Sequence, residues 1–283
     1  MLPDDCVPAF GLIIIGDEIM SGKRADKHLP AVIERLQLRG LRLAYANYVG
    51  DSRQRITSSL EQAFASPDVV FCCGGIGATP DDHTRQCAAA ALGVALQLHP
   101  QARLLIEERM RDVALEQGVA YEPDRADNQH RLNMGVFPAG CDIIPNPYNK
   151  IPGFTCRATM QWGDGRKGVV HFFPGFPVMA WPMIEWVLDT FYPQCFHRDP
   201  WAEKSVIVYG AMEAALTPLM EELEQRFEQV QVFSLPSVDH PVHGRHIELG
   251  VKGPVLLVDA AFAALRAGLQ KYGVRLGPEV VRS

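Results

Sequence analysis

The chain has 283 residues, of which 47% are hydrophobic and 21% charged, so it can bury a large core and fits one large domain plus a small one. Its net charge of −6, with no basic run, argues against a nucleic acid or an anionic membrane as partner. The acidic, proline-interrupted start MLPDDCVPAF does not have the pattern of a signal peptide, and the apolar runs are far shorter than a membrane span.

Cysteine usage indicates the redox compartment. Seven cysteines occur, an odd number, and none of them forms a C-x-x-C pair. This pattern predicts reduced thiols in a cytoplasmic protein rather than a disulfide framework or a zinc site. The adjacent Cys72 and Cys73 fall on a predicted buried strand, where cysteine usually acts as a small hydrophobic residue.

Strand and helix patterns alternate through the N-terminal part of the chain. Short, β-branched apolar runs predict strands, and apolar residues at helical spacing predict the helices that follow them. This alternation indicates right-handed crossovers and a mostly parallel sheet that is covered on both faces. The strands are expected at 10–16, 41–49 and 68–73, and the helices at 26–37, from Asp51 or Ser52 to Phe64, and at 81–93.

The middle of the chain is expected to complete this domain with less regular structure. Helical periodicity covers 101–118, whereas 128–160 is rich in Pro, Asn and Gly and predicts loop with short strands. The runs TCRATMQW and GVVHFF, joined by GDGRK, predict a β-hairpin, and a further helix is expected to begin near Val178.

The domain boundary is predicted after Tyr192, where proline and charge cluster. The chain is therefore divided into an α/β domain at 1–193 and a smaller α+β domain at 194–283. The second domain is expected to contain strands at 205–209, 230–235 and 246–252 and helices at 211–228 and 258–272.

A glycine-rich loop lies between the third strand and its helix, in the stretch DVVFCCGGIGATPDDHTRQ. In open parallel sheets, ligands collect outside the carboxyl ends of the strands. Gly74, Gly75 and Gly77 allow a turn whose N–H groups can face an anion, and the helix N-terminus adds partial positive charge. The loop is therefore a candidate phosphate site. The alternative, a tight turn with Asp81 as helix cap, explains the same spacing.

Two pairs of adjacent carboxylates are expected at this edge of the sheet. Asp81 and Asp82 end the glycine loop, and Asp17 and Glu18 follow the first strand. Because carboxylates repel phosphate, beside a phosphate they are best explained as ligands of Mg²⁺ or a similar hard cation that bridges to it. The alternative for the first pair is a solvated acidic turn.

The segments GDEIMSGKRADKHLPAVIERLQLRGLRL and CCGGIGATPDDHTRQCAAAALG resemble the molybdopterin-binding-domain superfamily, and within it the N-terminal part of CinA-like proteins. DNQHRLNMGVFPAGCDIIPNPYNKIPGF and FFPGFPVMAWPM are similar to further segments of that family, and the small C-terminal unit resembles its second domain. The resemblance implies a three-layer α/β/α domain that binds a pterin or nucleotide phosphate at the glycine loop.

By position, the resemblance also implies site residues. Asp81 and Asp82 would be catalytic and, with Asp17 and Glu18, would hold the metal. The ligand-binding residues that it implies are Gly74, Gly75, Gly77, Thr79, Thr84, Asn128, Pro174, Gly175 and Pro177.

The chain also departs from the family pattern. Ile76 and Ala78 replace the usual Thr and a frequent Pro of the loop, so a hydroxyl expected near the ligand is missing. His28 stands where Asn is common, and Lys150 occupies a usually glycine-like position. The chain stops before the deamidase domain of full-length CinA proteins, so deamidation of nicotinamide mononucleotide is expected to be absent.

Three functions fit these expectations. The first is hydrolysis of the diphosphate of an ADP-ribose-like nucleotide with Mg²⁺, Mn²⁺ or Co²⁺. The second is molybdopterin binding or adenylylation in molybdenum cofactor synthesis, and the third is non-catalytic nucleotide binding. The expected partner is a small-molecule nucleotide or pterin, and the resemblance implies a homo-oligomer, since this superfamily tends to self-associate.

Three histidines in DHPVHGRH, namely His240, His243 and His246, invite a metal interpretation. A loop that leads into a strand does not place residues i and i+3 on one face, so solvated histidines are the preferred interpretation.

Overall fold

Two units make up the chain, and the computed structural model describes residues 7–159, 167–198 and 201–282 of it. The division falls between Phe196 and His197, three residues after the predicted boundary. Within the described ranges, no helix has both the length and the apolar character that crossing a membrane requires.

The first unit is organised around a six-stranded sheet. In chain order its described strands are β1 (Phe10–Ile15), β2 (Leu43–Val49), β3 (Val69–Cys73), β4 (Leu96–Leu98), β5 (Val136–Pro138), β6 (Asp142–Ile144), β7 (Gly153–Arg157) and β8 (Val169–Phe173). The sheet order is β2-β1-β3-β8-β7-β6, and β4 and β5 form a separate antiparallel pair. The strands β2, β1, β3 and β8 are parallel, whereas β7 and β6 are antiparallel. The prediction of a mostly parallel sheet is confirmed.

Helices connect these strands and cover both faces of the sheet. They are α1 (Asp17–Met20), α2 (His28–Gln37), α3 (Arg53–Phe64), α4 (Thr84–Leu92), α5 (Pro100–Glu116), α6 (Ala126–Leu132) and α7 (Pro177–Phe191). One apolar cluster contains residues of α3 and α4, and a second contains residues of α2 and α7. The first unit therefore has the predicted three layers, helix on sheet on helix.

Successive residues of the central strands enter opposite cores. Ile13 and Cys72 belong to the cluster with α3 and α4, whereas Ile14 and Cys73 belong to the cluster with α2 and α7. Side chains alternate across a strand, so a strand covered on both faces reads as a continuous apolar run. The burial of Cys72 and Cys73 as free thiols is confirmed.

The expectations for the middle of the first unit were partly wrong. Helix α6 and the short strand β4 were not predicted, because a seven-residue helix with five polar residues and a three-residue strand carry little periodic signal. The predicted hairpin is confirmed by the antiparallel pairing of β7 with β8. Most of the connecting segment, 160–166, lies outside the described residues.

One polar network lies inside the core of the first unit. The imidazole of His171 is fully buried, with Thr155 Oγ1 2.8 Å from its Nδ1 and Tyr192 Oη 2.8 Å from its Nε2. Each ring nitrogen therefore has a partner, which is the usual condition for burying a histidine.

The second unit is the predicted α+β fold with one more strand. Its described elements are β9 (Trp201–Tyr209), α8 (Glu213–Arg226), β10 (Gln231–His240), β11 (Gly244–Pro254), α9 (Val255–Lys271) and β12 (Arg275–Arg282). The strands form an antiparallel sheet in the order β10-β11-β9-β12. Strand β12 was not predicted, since Gly277 and Pro278 interrupt its pattern where its register with β9 shifts.

Candidate functional site

The glycine loop leaves the carboxyl end of β3 and passes close to two neighbouring strands. The N–H of Gly74 donates to the carbonyl oxygen of Phe173, the last residue of β8, at 3.0 Å. Gly74 has a φ of 110°, and a Cβ there would overlap the carbonyl oxygen of Ile15. Gly75 has a φ of 68°, and a Cβ there would overlap Oγ1 of Thr84. Both positions therefore require glycine, as the sequence predicts.

The first turn of α4 is hydrogen-bonded to the glycine loop. The fully buried Thr84 donates its hydroxyl to the carbonyl oxygen of Gly74 at 3.0 Å, and its N–H donates to the carbonyl oxygen of Gly75 at 3.0 Å. The structure thus shows Thr84 in a positioning role, while its contact with a ligand stays a prediction.

Arg85 is a site residue that the sequence did not reveal. Only 4% of its surface is exposed, and its guanidinium donates to the carbonyl oxygen of Gly77 at 2.7 Å and to that of Asn133. It therefore ties the glycine loop to the segment that follows α6. A single arginine after a loop usually lies on the surface, so no signal in the sequence distinguished this one.

The two aspartates at the end of the loop differ in their surroundings. Asp82 accepts hydrogen bonds on Oδ2 from the N–H of Thr79 at 2.8 Å and from its hydroxyl at 2.5 Å. Gly77 lies against the same carboxylate, because a Cβ there would be 2.6 Å from Oδ2. Asp81 is exposed to solvent. Asp82 therefore stabilises the turn, whereas Asp81 is open to a ligand.

The glycine loop carries unpaired backbone N–H groups. The N–H groups of four consecutive residues have no hydrogen-bond partner among the described residues; they belong to Gly75, Ile76, Gly77 and Ala78. Free N–H groups of this kind form anion-binding concavities. The side chain of Ile76 is buried in the core, so a hydroxyl at this position would face the core rather than a ligand. The missing threonine is therefore not a lost ligand contact.

One further carboxylate, which the sequence did not single out as a ligand, lies beside the predicted pairs. Asp51 follows β2, and its Oδ2 accepts the N–H of Asp17 at 2.9 Å, while Oδ1 of Asp17 accepts the N–H of Asp51 at 3.0 Å. Partial burial raises the pKa of Asp51, and the negative charges of Asp17, Glu18 and Asp81 raise it further against the opposing backbone hydrogen bond. Four carboxylates thus share this edge. The position of Asp51 after a parallel strand was the signal in the sequence that could have identified it as a candidate site residue.

The segment after β8 closes the other side of the loop. Gly175 packs against Gly74, and its carbonyl oxygen lies 3.1 Å from Nε2 of His28. Gly175 and Pro177 line a cavity of about 250 Å³ together with Glu18 and His28. Pro174 joins β8 to this segment.

Asn128 makes its side-chain hydrogen bonds to nearby residues of the same segment. Its amide nitrogen donates to the carbonyl oxygen of Glu122 at 2.7 Å, and its amide oxygen accepts from Arg131 at 3.0 Å. No hydrogen bond among the described residues joins it to the glycine loop. Its ligand role stays a prediction.

The oxygen-rich edge fits one kind of cation site. Within the described ranges, no group of three His, Cys, Asp or Glu side chains is placed to hold a metal ion. Mg²⁺, however, is usually bound by one or two carboxylates together with phosphate oxygens and waters, rather than by a protein cage. The exposed Asp81 and the partly buried Asp51 fit that arrangement, in which the cation and the phosphate bind together.

The histidines of the second unit were expected to be solvated, and for one of them this was wrong. The ring of His240 lies 5.0 Å from that of His243 and 5.2 Å from that of His246, between centroids, and His246 is buried. Tyr209 Oη lies 3.0 Å from Nδ1 of His243. The cluster is a packed group of rings, and the described residues place no metal-binding trio here.

Replacing Arg85 by methionine is expected to lower the free energy of unfolding by about 2–4 kcal/mol, since it removes two buried hydrogen bonds and leaves the carbonyl group of Gly77 unpaired. The loop should also be cut faster by protease under native conditions. Urea denaturation and limited proteolysis would measure both effects. Arg53→Met, an exposed position on α3, is the control. An unfolding free energy within 0.5 kcal/mol of the wild type, roughly the scatter of surface substitutions, would contradict this role.

These features define the class of fold as a three-layer α/β/α protein with a ligand-binding edge at the carboxyl ends of its parallel strands. Residues 11–194 match the family described as the probable molybdopterin binding domain, and the chain belongs to that family. The family match covers the whole of this edge, from β1 to the end of α7.

The chain is similar to several proteins of this type. A CinA-like protein of Anaeromyxobacter sp. strain K is 33% identical over 178 residues, which cover 62% of this chain and 40% of that protein. The chain thus matches less than half the length of this relative. A protein of Pyrobaculum calidifontis is 26% identical over 266 residues, 92% of this chain and 94% of its own. The crystal structure of CinA from Thermoplasma acidophilum, a protein of unknown function, has a TM-score of 0.52 at 24% identity, covering 65% of this chain and 97% of that one, which establishes likeness of fold.

Proposed function

We propose that this protein binds a nucleotide or pterin phosphate at the glycine loop, and that its activity is metal-dependent hydrolysis of the diphosphate of an ADP-ribose-like nucleotide. One observation carries the proposal. The unpaired N–H groups of Gly75 to Ala78 lie at the same sheet edge as the carboxylates of Asp17, Asp51 and Asp81. Amides suit phosphate oxygens, and carboxylates suit the cation that accompanies them.

In the proposed reaction, the carboxylates would bind the cation and the loop N–H groups would bind the phosphate. A bound divalent cation would neutralise the diphosphate and lower the pKa of the attacking water. Asp81 and Asp51 would hold it, with Asp17 and Glu18 strengthening the negative potential at this edge. The loop N–H groups would stabilise charge that develops on the phosphoryl oxygens. Water would add across one P–O bond of the diphosphate bridge, giving AMP and ribose 5-phosphate.

The raised pKa of Asp51 fits this role. Burial and three neighbouring negative charges oppose its ionised form, and a divalent cation would relieve that cost. Asp82 has a different part in the proposal. Because its Oδ2 is engaged by Thr79, it would act by holding the loop in the geometry that presents the N–H groups.

Replacing Asp51 by asparagine is expected to reduce AMP release from ADP-ribose by at least about 10- to 100-fold, the loss typical of substitutions that only disturb the support of a metal ligand. The assay uses Mg²⁺, Mn²⁺ or Co²⁺ and a chelator in parallel. Asp81→Asn should lose activity as well. Glu221→Gln removes the same charge from an exposed position of α8 and should leave turnover unchanged. Full activity in Asp51→Asn, or wild-type turnover that survives the chelator, contradicts the metal assignment.

A second function, molybdopterin binding or adenylylation, is supported by the family to which the chain belongs. The same loop would then bind the pterin phosphate, and the cation would serve nucleotidyl transfer rather than hydrolysis. Pyrophosphate release from ATP that depends on added molybdopterin would distinguish this function from ADP-ribose hydrolysis. If nucleotide binds but neither reaction occurs with any of the three metals, non-catalytic nucleotide binding is the function that is left.

A further inference from the structure

Two free cysteines lie opposite each other at one edge of the sheet in the first unit. In the antiparallel pairing of β6 with β7, Asp142 is the partner of Thr155. The next opposed pair is therefore Cys141, which directly precedes β6, and Cys156 of β7, and both thiols are free. The exposed side chains of Arg157 and Asp142 form an ion pair, so the two strands stay together at this end. Cys141 and Cys156 are thus neighbours across the two strands.

Both cysteine side chains lie on the same face of the sheet at close range. Directly opposed residues of an antiparallel pair share a face, and Cys141 and Cys156 belong to the same apolar cluster, the one with α3 and α4. The N–H of Cys141 donates to the carbonyl oxygen of Pro138 at 3.3 Å rather than across to β7, which makes this a non-hydrogen-bonded pair. The Cα atoms of such a pair are about 4.5 Å apart, within the range of about 4.4–6.8 Å that a disulfide spans. Burial raises the pKa of Cys156, and the nearby Cys141 raises it further, as expected for two adjacent thiols.

The other described cysteines are arranged differently. Cys72 and Cys73 are neighbours in the chain but enter opposite cores, so their side chains point apart. Both lie on β3, which pairs with β1 on one side and with β8 on the other. Cys87 is on α4, and Cys195 follows α7 outside the sheet. The pair of Cys141 and Cys156 therefore stands out by its place at a sheet edge.

Strand β6 gives this pair a route to solvent. It has three residues and is the last strand of the sheet, so among the described strands it pairs with β7 alone. While β6 is paired, burial raises the pKa of Cys141 to about 12, and little of the reactive thiolate is present. Short segments at an edge open locally at a low free-energy cost, and an open β6 would let the Cys141 thiol ionise in water. Cys141 is therefore the thiol that meets an oxidant first.

We propose that Cys141 and Cys156 form a redox pair, which a peroxide converts into a cross-strand disulfide. With hydrogen peroxide, the Cys141 thiolate attacks one oxygen and the O–O bond breaks, which gives a sulfenic acid. The hydroxide that leaves takes up the proton that Cys141 released. When β6 pairs again, the sulfur of Cys156 attacks the sulfenic sulfur; the S–S bond forms, the S–O bond breaks, and the hydroxide leaves as water with the proton of Cys156. Two thiols are oxidised and one hydrogen peroxide is reduced to two waters, and a dithiol reverses the oxidation by exchange.

The disulfide would close the base of the loop between β6 and β7. Side chains of this loop contact two helices: Lys150 Nζ lies 2.6 Å from a carboxylate oxygen of Asp112 on α5, and Asn149 Nδ2 lies 3.3 Å from Sδ of Met179 on α7. A cross-link at the base prevents β6 from opening and keeps the loop in this arrangement. Amide hydrogen exchange within 142–155 should therefore slow by at least about tenfold in the oxidised protein.

Peptide mapping of the full chain tests the proposal. The native protein is treated with hydrogen peroxide, the remaining thiols are alkylated, and the chain is digested with trypsin. Trypsin places Cys141 in peptide 132–150 and Cys156 in peptide 151–157, so a disulfide joins two separate peptides that dithiothreitol releases. This link should exceed every other pairing by at least about tenfold, because the two positions already have the separation of a disulfide. In urea, where the cysteines meet at random, the same treatment should give a mixture of pairings.

Two variants and a control assign the reaction to this pair. Cys141→Ala and Cys156→Ala each leave one thiol of the pair, so oxidation should give neither the link nor slower hydrogen exchange. Cys195→Ala removes a buried cysteine of the other core and should keep both effects. Thermal unfolding reports whether each variant folds, and the peptide map of the wild type stands if one does not.

Any of three results would overturn the proposal. The first is the absence of the linked peptides in the native protein, whether or not other cysteines react. The second is the same mixture of pairings in the native protein as in urea. The third is a link between Cys141 and Cys156 that leaves hydrogen exchange within 142–155 unchanged, which would contradict closure of the loop. None of these measurements depends on hydrolysis of ADP-ribose, so the inference stands or falls separately from the proposed function.

Discussion

Replacing Gly74 by alanine is expected to lower the free energy of unfolding by about 3 kcal/mol or more. A φ of 110° is strained for any residue with a Cβ, which costs about 1–3 kcal/mol. The new methyl group would also overlap the carbonyl oxygen of Ile15, which is backbone at the end of a central strand and cannot rotate away. Overpacking adds a cost of about 1–3 kcal/mol. Urea denaturation followed by circular dichroism measures the loss.

Gly22→Ala is the matched control for this prediction. Gly22 has a φ of 72°, but no atom lies within 4 Å of the position that its Cβ would take. The substitution therefore adds backbone strain without overlap, and the expected loss is about 1–2 kcal/mol. Equal losses at Gly74 and Gly22 would show that the close approach of the loop to β1 is not what requires glycine.

Stability is expected to fall steeply on mild acidification because of His171. Burial, with a smaller contribution from the positive charge of Arg157, lowers the pKa of His171 to about 3 in the folded chain, whereas an unfolded histidine titrates near its ordinary pKa of about 6.5. Between these values the unfolded chain binds one proton more than the folded chain. The free energy of unfolding therefore falls as pH falls, by about 1.4 kcal/mol per pH unit, and the full stability is present above pH 6.5.

Comparison with His171→Gln isolates this contribution. Glutamine keeps a polar atom near Tyr192 but loses the bond to Thr155, so at pH 7 the variant should be less stable by about 2 kcal/mol. Its stability should depend less on pH, and the two unfolding curves should converge between pH 6.5 and 4.5. His28 also has a lowered pKa and acts in the same direction in both proteins. Parallel pH profiles for the two proteins would contradict a neutral, buried His171.

For the glycine loop, local sequence predicted the turn of the backbone but not the direction of every side chain. Strand β3 and helix α4 are separated by residues whose glycines predicted a tight turn, and the φ values at Gly74 and Gly75 bear this out. The expectation about Ile76 was wrong. The family resemblance implied that a hydroxyl is missing near the ligand, but the side chain at this position is packed in the core. Which way a loop side chain faces depends on the elements that surround it, and these come from distant parts of the chain.

The contacts of Asp51 and Arg85 in the candidate site also depend on distant parts of the chain. Asp51 follows β2 and meets Asp17 after β1 only because the two strands are neighbours in the sheet, 34 residues apart in the chain. Arg85 reaches Asn133 across 48 residues. Neither contact has a local pattern, since register and strand order are consequences of packing the whole sheet.

The amino-acid sequence by itself determined the alternation of strands and helices, the burial of the central strands on both faces and the glycine-dependent turn. These follow from side-chain periodicity and backbone freedom, which act over a few residues. Tertiary structure alone decided that Asp51 joins the other carboxylates at one edge, that Arg85 is buried beneath the loop and that Nδ1 of His28 lacks a partner. Each of these depends on which distant segments meet, and that choice is made by the packing of the complete fold.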